Sequence, residues 1–245
     1  MPSERLEGRV AIVTGAGRGI GRATALALAA HGVRVTLAAR TESELLAVAA
    51  EIDGLGRRCL PLRCDVAEEP DVRRLVEATR ASFGGVQIVV NNAGAVCRER
   101  VIDHGVAEWD AVINSHLRGT FLVTRHSLPL MLEAGWGRVV TISSMAGKVG
   151  VSHRVAYCTV KWGQIGFTEA LDVELQGTGV RAHVVCPGPV ATRMRAEGFP
   201  TEEPESLLQP EDVAAEVLHL LTLSETAYVR EVPLRPAQAT RYREP

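Results

Sequence analysis

Residues 10–21 read VAIVTGAGRGIG. Val10 to Thr14 form a short apolar run that enters a glycine cluster at Gly15, Gly17, Gly19 and Gly21. An Ala/Leu-rich stretch from Ile20 to Ala30 follows and stops at Gly32. An apolar run closed by glycines and continued with helical periodicity reads as strand, tight turn, helix. Glycine accepts positive φ and lets backbone approach a bound group closely. The helix that opens there offers unpaired N–H groups and a positive partial charge, which suit a pyrophosphate. The spacing is GxxxGxG rather than GxGxxG, because position 20 is Ile20. Glycine turns also occur without a ligand. The flanking strand and helix, at the start of the chain, favour the dinucleotide reading.

Working outward, the alternation repeats. Strands are expected at Val33–Ala38, Cys59–Arg63, Ile88–Val90, Val139–Ser143, Val180–Val185 and Tyr228–Val232. Helices are expected at Thr41–Ile52, Pro70–Phe83, Glu108–Ala134, Ala156–Leu175 and Pro210–Leu221. Pro129 is expected to bend or break the third of these. Nearly continuous apolar strands alternating with helices mean a parallel sheet covered on both faces. Such a sheet binds ligands beyond the carboxyl ends of its strands. The unusual residues gather at those ends: the glycines, Asn91–Gly94, Ser143 with Ser144, and Pro187–Pro189. The stretch from Arg193 to Gln209 lacks clear periodicity and is read as a candidate mobile lid.

The 245 residues are 46% hydrophobic and 23% charged, a globular composition sized for one large α/β domain or two small ones. The formal charge is -2 with both signs intermixed, so no nucleic-acid or membrane surface is predicted. Five cysteines without a CxxC pair fit a reduced, cytoplasmic setting. The seven histidines show no close metal-ligand spacing, so no metal is expected. No stretch has the pattern of a signal peptide or a bilayer span.

Five motifs stand in order: TGAGRGIG at 14–21, NNAG at 91–94, Ser144 lying 13 residues before Tyr157, YxxxK at Tyr157 and Lys161, and PGPVAT at 187–192. Together they resemble the short-chain dehydrogenase/reductase family over about residues 8–234. The resemblance implies one Rossmann-like three-layer α/β/α domain over residues 1–245 with a seven-stranded parallel sheet, and a polar tail from about 235 that is peripheral. It also implies NAD or NADP as cofactor, a small-molecule carbonyl or secondary-alcohol substrate, and a homodimer or homotetramer. The helices Glu108–Ala134 and Ala156–Leu175 would pack against their copies, with Trp162, Ile165 and Phe167 as surplus apolar residues.

From the residues alone, Tyr157 and Lys161 share one helix face. A free tyrosine, with a pKa of about 10, is a poor base at neutral pH, and a nearby ammonium is expected to lower that value. The alternative is an ordinary surface pair. By resemblance, Tyr157 gives a proton to the carbonyl oxygen or takes one from the alcohol. Lys161 also binds the nicotinamide ribose, and Ser144, rather than its neighbour Ser143, hydrogen-bonds the substrate oxygen. Asn114 matches the position that holds a proton-relay water; a polar helix residue without a role is the alternative. Asp65 and Val66 match the pair beside the adenine, with a helix-capping Asp as the alternative. Asn91, Ala93 and Gly94 match the segment lining the cofactor. Pro187, Gly188, Val190 and Thr192 match the nicotinamide-side loop.

The second strand ends Leu37, Ala38, Ala39, Arg40, with no acid to hold a ribose 2′-hydroxyl. Arg40 and Arg18 point to NADP in preference to NAD, since guanidinium groups pair with a 2′-phosphate. Solvated arginines are the alternative, and Glu42 and Glu44 stand close enough to compete. The expected activity is NADP-dependent interconversion of a ketone and a secondary alcohol, with a 3-oxoacyl thioester as a narrower substrate. A non-catalytic NAD(P)-binding sensor and an extended-branch sugar-nucleotide epimerase are the competing readings. Val96, Met145, Val149, Val151, Met194 and Phe199 suggest an apolar substrate pocket. His153 and Cys158 flank the tyrosine; an exposed loop residue and a packing residue are the plain readings. The C-terminal YVREVPLRP, residues 228–236, departs from the family's usual DGG stretch.

Overall fold

The computed structural model describes residues 6–237. Its strands are β1 (Val10–Thr14), β2 (Arg34–Ala39), β3 (Cys59–Arg63), β4 (Ile88–Asn91), β5 (Gly137–Ile142), β6 (Val180–Pro187) and β7 (Glu231–Leu234). Its helices are α1 (Gly19–Ala30), α2 (Glu42–Gly54), α3 (Glu69–Phe83), α4 (Val106–Ile113), α5 (Gly119–Glu133), α6 (Val155–Glu174), α7 (Arg193–Gly198) and α8 (Pro210–Thr222). The strands form one parallel sheet in the order β3-β2-β1-β4-β5-β6-β7.

Side chains on successive strand residues point to opposite faces, and both faces here are apolar. Ala11 and Val13 enter one core cluster with Leu28, Ile52 and Leu220, under α1, α2 and α8. Ile12, between them, enters the other with Leu75, Val123, Met131 and Leu171, under α3, α5 and α6. Each fully buried aliphatic side chain stabilises the sandwich by about 1.5–3 kcal/mol relative to exposure. The chain fills β1 to β3 on one side of the sheet and resumes at β4 on the other side of β1. Strand order therefore reverses between β1 and β4, which opens a crevice at their carboxyl ends.

Four local expectations need correction. The long helix starts at Val106 and is interrupted at a π-turn, Asn114–Arg118, instead of at Pro129, which lies inside α5. Pro129 and Arg125 both face solvent, so the carbonyl that lacks an N–H partner is left where water can serve it. The stretch after Thr192 is pinned by pairing of Val190 with Leu208 and contains α7 and a 3₁₀ turn at Pro204–Ser206. It is too short-ranged in period to register as helix in the sequence. Of the supposed surplus residues only Trp162 is exposed (54%); Ile165 packs on Met145, Val184 and Cys186, and Phe167 on the second core cluster. The last strand also starts later than expected, at Glu231, and Tyr228 instead anchors the preceding turn, donating from its hydroxyl to the Ala182 carbonyl at 2.9 Å. The tail beyond residue 237 lies outside the described residues.

Candidate active site

Two adjoining cavities occupy the crevice. The first runs from the glycine turn across the ends of β2 and β4 to Tyr157 and Lys161. Gly15 and Gly19 hold φ of +64° and +53°, which side-chain-bearing residues rarely adopt. A Cβ at Gly21 would stand 2.2 Å from the Gly15 carbonyl oxygen, so the turn closes on itself there. Gly17, Arg18 and Ile20 line the cavity with Gly15 and Gly19, whereas Gly21 supports them from behind. Arg18 is the extended N-cap of α1 and no side chain caps it, which leaves first-turn N–H groups for a ligand.

The NNAG segment is tied to this turn. Thr14 Oγ1 accepts from the Asn92 and Ala93 N–H groups at 3.0 Å each, and Asn92 Nδ2 donates to the Thr14 carbonyl at 2.9 Å. Asn91 donates to Thr124 Oγ1 at 3.0 Å, fixing β4 to α5. Ala93 and Gly94 line the cavity. Behind Gly94 stands His116, whose ring would lie 2.0 Å from a Cβ there. Its Nε2 engages the Ala95 backbone, and its ring meets Tyr157 edge-on at 5.8 Å. Burial pushes the His116 pKa down to about 3, and the Lys161 charge adds to this. Nothing in the sequence pattern marked this histidine; its position two residues after Asn114 is the only available hint.

At the β2 end, Ala39 and Arg40 line the same cavity, and Arg40 makes no side-chain hydrogen bond or ion pair among the described residues. Glu44 is shared by Arg18 at 3.3 Å and Arg193 at 3.4 Å, so its charge is neutralised in place. Asp65 and Val66 also line the cavity; Asp65 Oδ1 accepts from the Ala67 N–H at 3.0 Å, an Asx turn before α3.

Tyr157 and Lys161 project from the first turns of α6. The Tyr157 hydroxyl is hydrogen-bonded to Ser144. Ser143 instead donates to the Lys161 carbonyl at 2.8 Å, which separates the two serines. Lys161 is buried and its ammonium donates to the Ile142 carbonyl at 2.8 Å and to Gln164 Oε1 at 2.9 Å. Gln164 passes the chain on to Thr120 Oγ1 at 3.1 Å. Burial lowers the Lys161 pKa to about 7. Burial raises that of Tyr157, and the hydrogen bond from Ser144 and the Arg154 and Arg98 charges only partly offset it. The net shift is upward, opposite in direction to that expected from a neighbouring ammonium: desolvation is its largest cause, and the charges opposing it are those of Arg154 and Arg98. Asn114 opens the π-turn; its carbonyl accepts from the Gly119 N–H, and its side chain is not hydrogen-bonded to Tyr157, Ser144 or Lys161.

The second cavity lies across Tyr157 and is lined by Ser144, Pro187, Gly188 and Val190, among others. Thr192 stands between the cavities and caps α7 by accepting from the Arg195 N–H at 3.3 Å. Val96, Met145, Val151, Met194 and Phe199 are on its wall as expected; Val149 is not. Arg98, Arg154 and Arg195 are there as well, so the pocket is not simply apolar. Among the described residues, Cys97, Glu99 and His104 bring their ligand-type atoms within 4.8 Å of one another, a grouping that spacing rules for histidines did not reveal.

The family model for short chain dehydrogenases matches residues 9–203. The chain belongs to the short chain dehydrogenase family. It is 35% identical over 231 residues to an uncharacterised oxidoreductase of Staphylococcus aureus (strain USA300), covering 94% of this chain and 98% of that one. A 3-oxoacyl-[acyl-carrier-protein] reductase of Synechocystis is 37% identical, with 91% and 93% covered. A metagenomic short-chain oxidoreductase solved in complex with NADP superposes with a TM-score of 0.84 at 33% identity, covering 95% of this chain and 99% of that one. This short chain dehydrogenase is thus an oxidoreductase acting between CH–OH and C=O. No helix among its described residues is long and apolar enough to cross a membrane.

Proposed function

We propose that this dehydrogenase is an NADP-dependent reductase of ketones, working in the opposite direction on secondary alcohols. The observation that carries the reading is the placement of Tyr157, hydrogen-bonded to Ser144, on the wall between the two cavities. The first cavity fits a dinucleotide: an uncapped helix start, a glycine cradle and an unpaired Arg40 lie along it in that order. There Gly15, Gly17, Gly19 and Ile20 would take the pyrophosphate, Asp65 and Val66 the adenine side, and Ala93, Gly94, Lys161 and Thr192 the nicotinamide side. Bound nicotinamide supplies or accepts the hydride.

The chain's own groups handle the proton. Tyr157, with its pKa raised by burial, holds a proton at neutral pH and stands ready to give it to a carbonyl oxygen. Ser144 receives or donates at the same oxygen and fixes its position. Lys161 holds the floor below the tyrosine. An intact Tyr157, Ser144 and Lys161 set argues against a sensor that only binds. The Synechocystis relative makes a 3-oxoacyl thioester one substrate to assay.

NADP is preferred over NAD because Arg40 lines the cleft without a side-chain partner among the described residues, while Ala39 leaves no acid at that strand end to repel a 2′-phosphate. A charge-assisted hydrogen bond contributes about 1.5–3 kcal/mol, so a preference of about tenfold or more is expected. NADPH should exceed NADH in kcat/KM, and Ala39→Asp with Arg40→Ala should reverse the order. Equal use of the two cofactors by the parent would contradict the assignment. Exposed Phe121 and Leu132 on α5 and Trp162 and Val173 on α6 support assembly through these helices into a dimer or tetramer.

A further inference from the structure

Lys161 is a buried cation that no carboxylate pairs with among the described residues. The residue is 4% exposed, and its ammonium meets two oxygens, the Ile142 carbonyl at 2.8 Å and Gln164 Oε1 at 2.9 Å. The chain's other lysine, Lys148, instead pairs with Glu231 at 2.7 Å. The titratable groups that face Lys161 are Tyr157 on the same helix, His116 from the π-turn and Cys186 from β6. Burial holds His116 down at about 3 and Cys186 up at about 11, and it raises Tyr157, so all three are neutral at neutral pH. From β5 and α5 come the Ile142 carbonyl and Thr120, neither of which ionises. A charge buried this way is costly unless polar atoms replace its water.

Gln164 is placed to do so. It stands three residues after Lys161 on α6, on the same helix face, and is 1% exposed. An amide can present its oxygen or its NH2 group. Only the oxygen can face an ammonium, which carries donors and no acceptor. The NH2 group donates to Thr120 Oγ1 of α5 at 3.1 Å. Thr120 therefore fixes the amide from behind, and the amide fixes the lysine. Gln164 lines neither cavity, so it acts through Lys161 and not on a ligand. A residue there merely to fill space would be served by leucine, without the cost of burying an amide.

We propose that Gln164 is a positioning residue for Lys161: its amide oxygen stands in for a counterion and keeps the ammonium charged at the floor of the first cavity. This rests on the reductase reading above and adds to it a residue outside both cavities. A neutral acceptor solvates the cation and leaves its charge available to the cavity. A carboxylate at the same place would hold it more tightly and cancel that charge.

The test compares the full chain with Gln164→Leu, which removes the acceptor, and Gln164→Glu, which makes it a charged one. Because the chain has two lysines, protein isotope-labelled at the lysine ε-carbon gives two resonances, and Lys148→Arg tells which belongs to Lys161. Both are titrated by NMR from about pH 5 to about pH 10. An acceptor favours the charged form, so its loss lowers the midpoint and a charged acceptor raises it. Gln164→Leu should move the Lys161 midpoint down by about one pH unit or more, and Gln164→Glu should move it up. The basic limb of kcat/KM for ketone reduction should move in the same two directions, since activity falls as Lys161 loses its proton. A residue that only fills space would change stability or rate without shifting the midpoints in opposite senses. A midpoint shared by all three proteins, or shifts of one sign in both variants, would overturn the proposal. Should Gln164→Leu not fold, Gln164→Asn, whose shorter side chain withdraws the oxygen, takes its place: a downward shift upholds the proposal and none overturns it. If no ketone consumes NADPH, the reductase reading fails, and the resonances alone decide this inference by the same outcomes.

Discussion

The two cavities that meet at Tyr157 are built from different materials. The first is built around strand ends and the glycine turn, with side chains of α6 and of the segment after β6 closing its far end. The second is made of side chains from the loop after β4, the start of α6 and the segment holding α7, which meet only in the folded chain. Backbone geometry fixes the first, so its shape follows from fold topology. The second depends on the identity of individual side chains, so it carries the selectivity of this particular protein.

The sharpest way to separate the two is to damage one alone. Lys161→Met removes the ammonium from the floor of the first cavity and leaves the Ile142 carbonyl and Gln164 Oε1 without their donor. Turnover should fall by about 10²-fold or more, as for loss of an acid–base group. Cofactor affinity should weaken, while KM for the ketone should change little. Steady-state kinetics with each ligand varied in turn, together with cofactor titration, would check this. A change confined to ketone KM would break the division between the cavities.

A smaller effect concerns the buried histidines. His116 backs the wall between the cavities with a pKa of about 3, and His183, in β6, is pushed by burial to about 4. Both are bases held neutral when folded and protonated more readily when unfolded, at about 6.5. Stability is therefore fully present above pH 6.5 and declines as pH falls toward 4, by about 1.4 kcal/mol per pH unit for each residue. Urea unfolding at stepped pH measures it. Lys161 does not imitate this slope, because its shift acts between its ordinary value of 10.5 and about 7. A flat stability from pH 6.5 to 4 would show that the two rings are not buried as described.

The smallest change is at the surface. Trp162→Glu on α6 removes an exposed apolar residue remote from the glycine turn. It should shift sedimentation from dimer or tetramer toward monomer with cofactor affinity little altered. A parent that is monomeric at micromolar concentration would refute assembly through this helix.

The contrast between the cavities also explains what could be read in advance. VAIVTGAGRGIG encodes its own strand, turn and helix, and alternating apolar runs set the sheet, because both depend on near neighbours. The shared helix face of Tyr157 and Lys161 is legible for the same reason, whereas Ser144 is singled out only by the family resemblance. Four features were not. His116 behind Gly94 and the arginines around Phe199 arise from contacts between distant segments, whereas Gln164 beside Lys161 and the π-turn at Asn114 are local features that no spacing rule marks. An arginine read in sequence looks like a solvated residue; only the fold shows that three of them share a cavity wall with Phe199.

The central claim is that Tyr157 moves the proton and holds little else. Tyr157→Phe is its most direct test, measured as two quantities on one preparation: the dissociation constant for NADPH and the rate of ketone reduction. The substitution removes one hydroxyl and little volume. The account predicts an unchanged dissociation constant within a factor of a few and a rate lowered by about 10²–10⁴-fold. A rate within a factor of a few of the parent would contradict it.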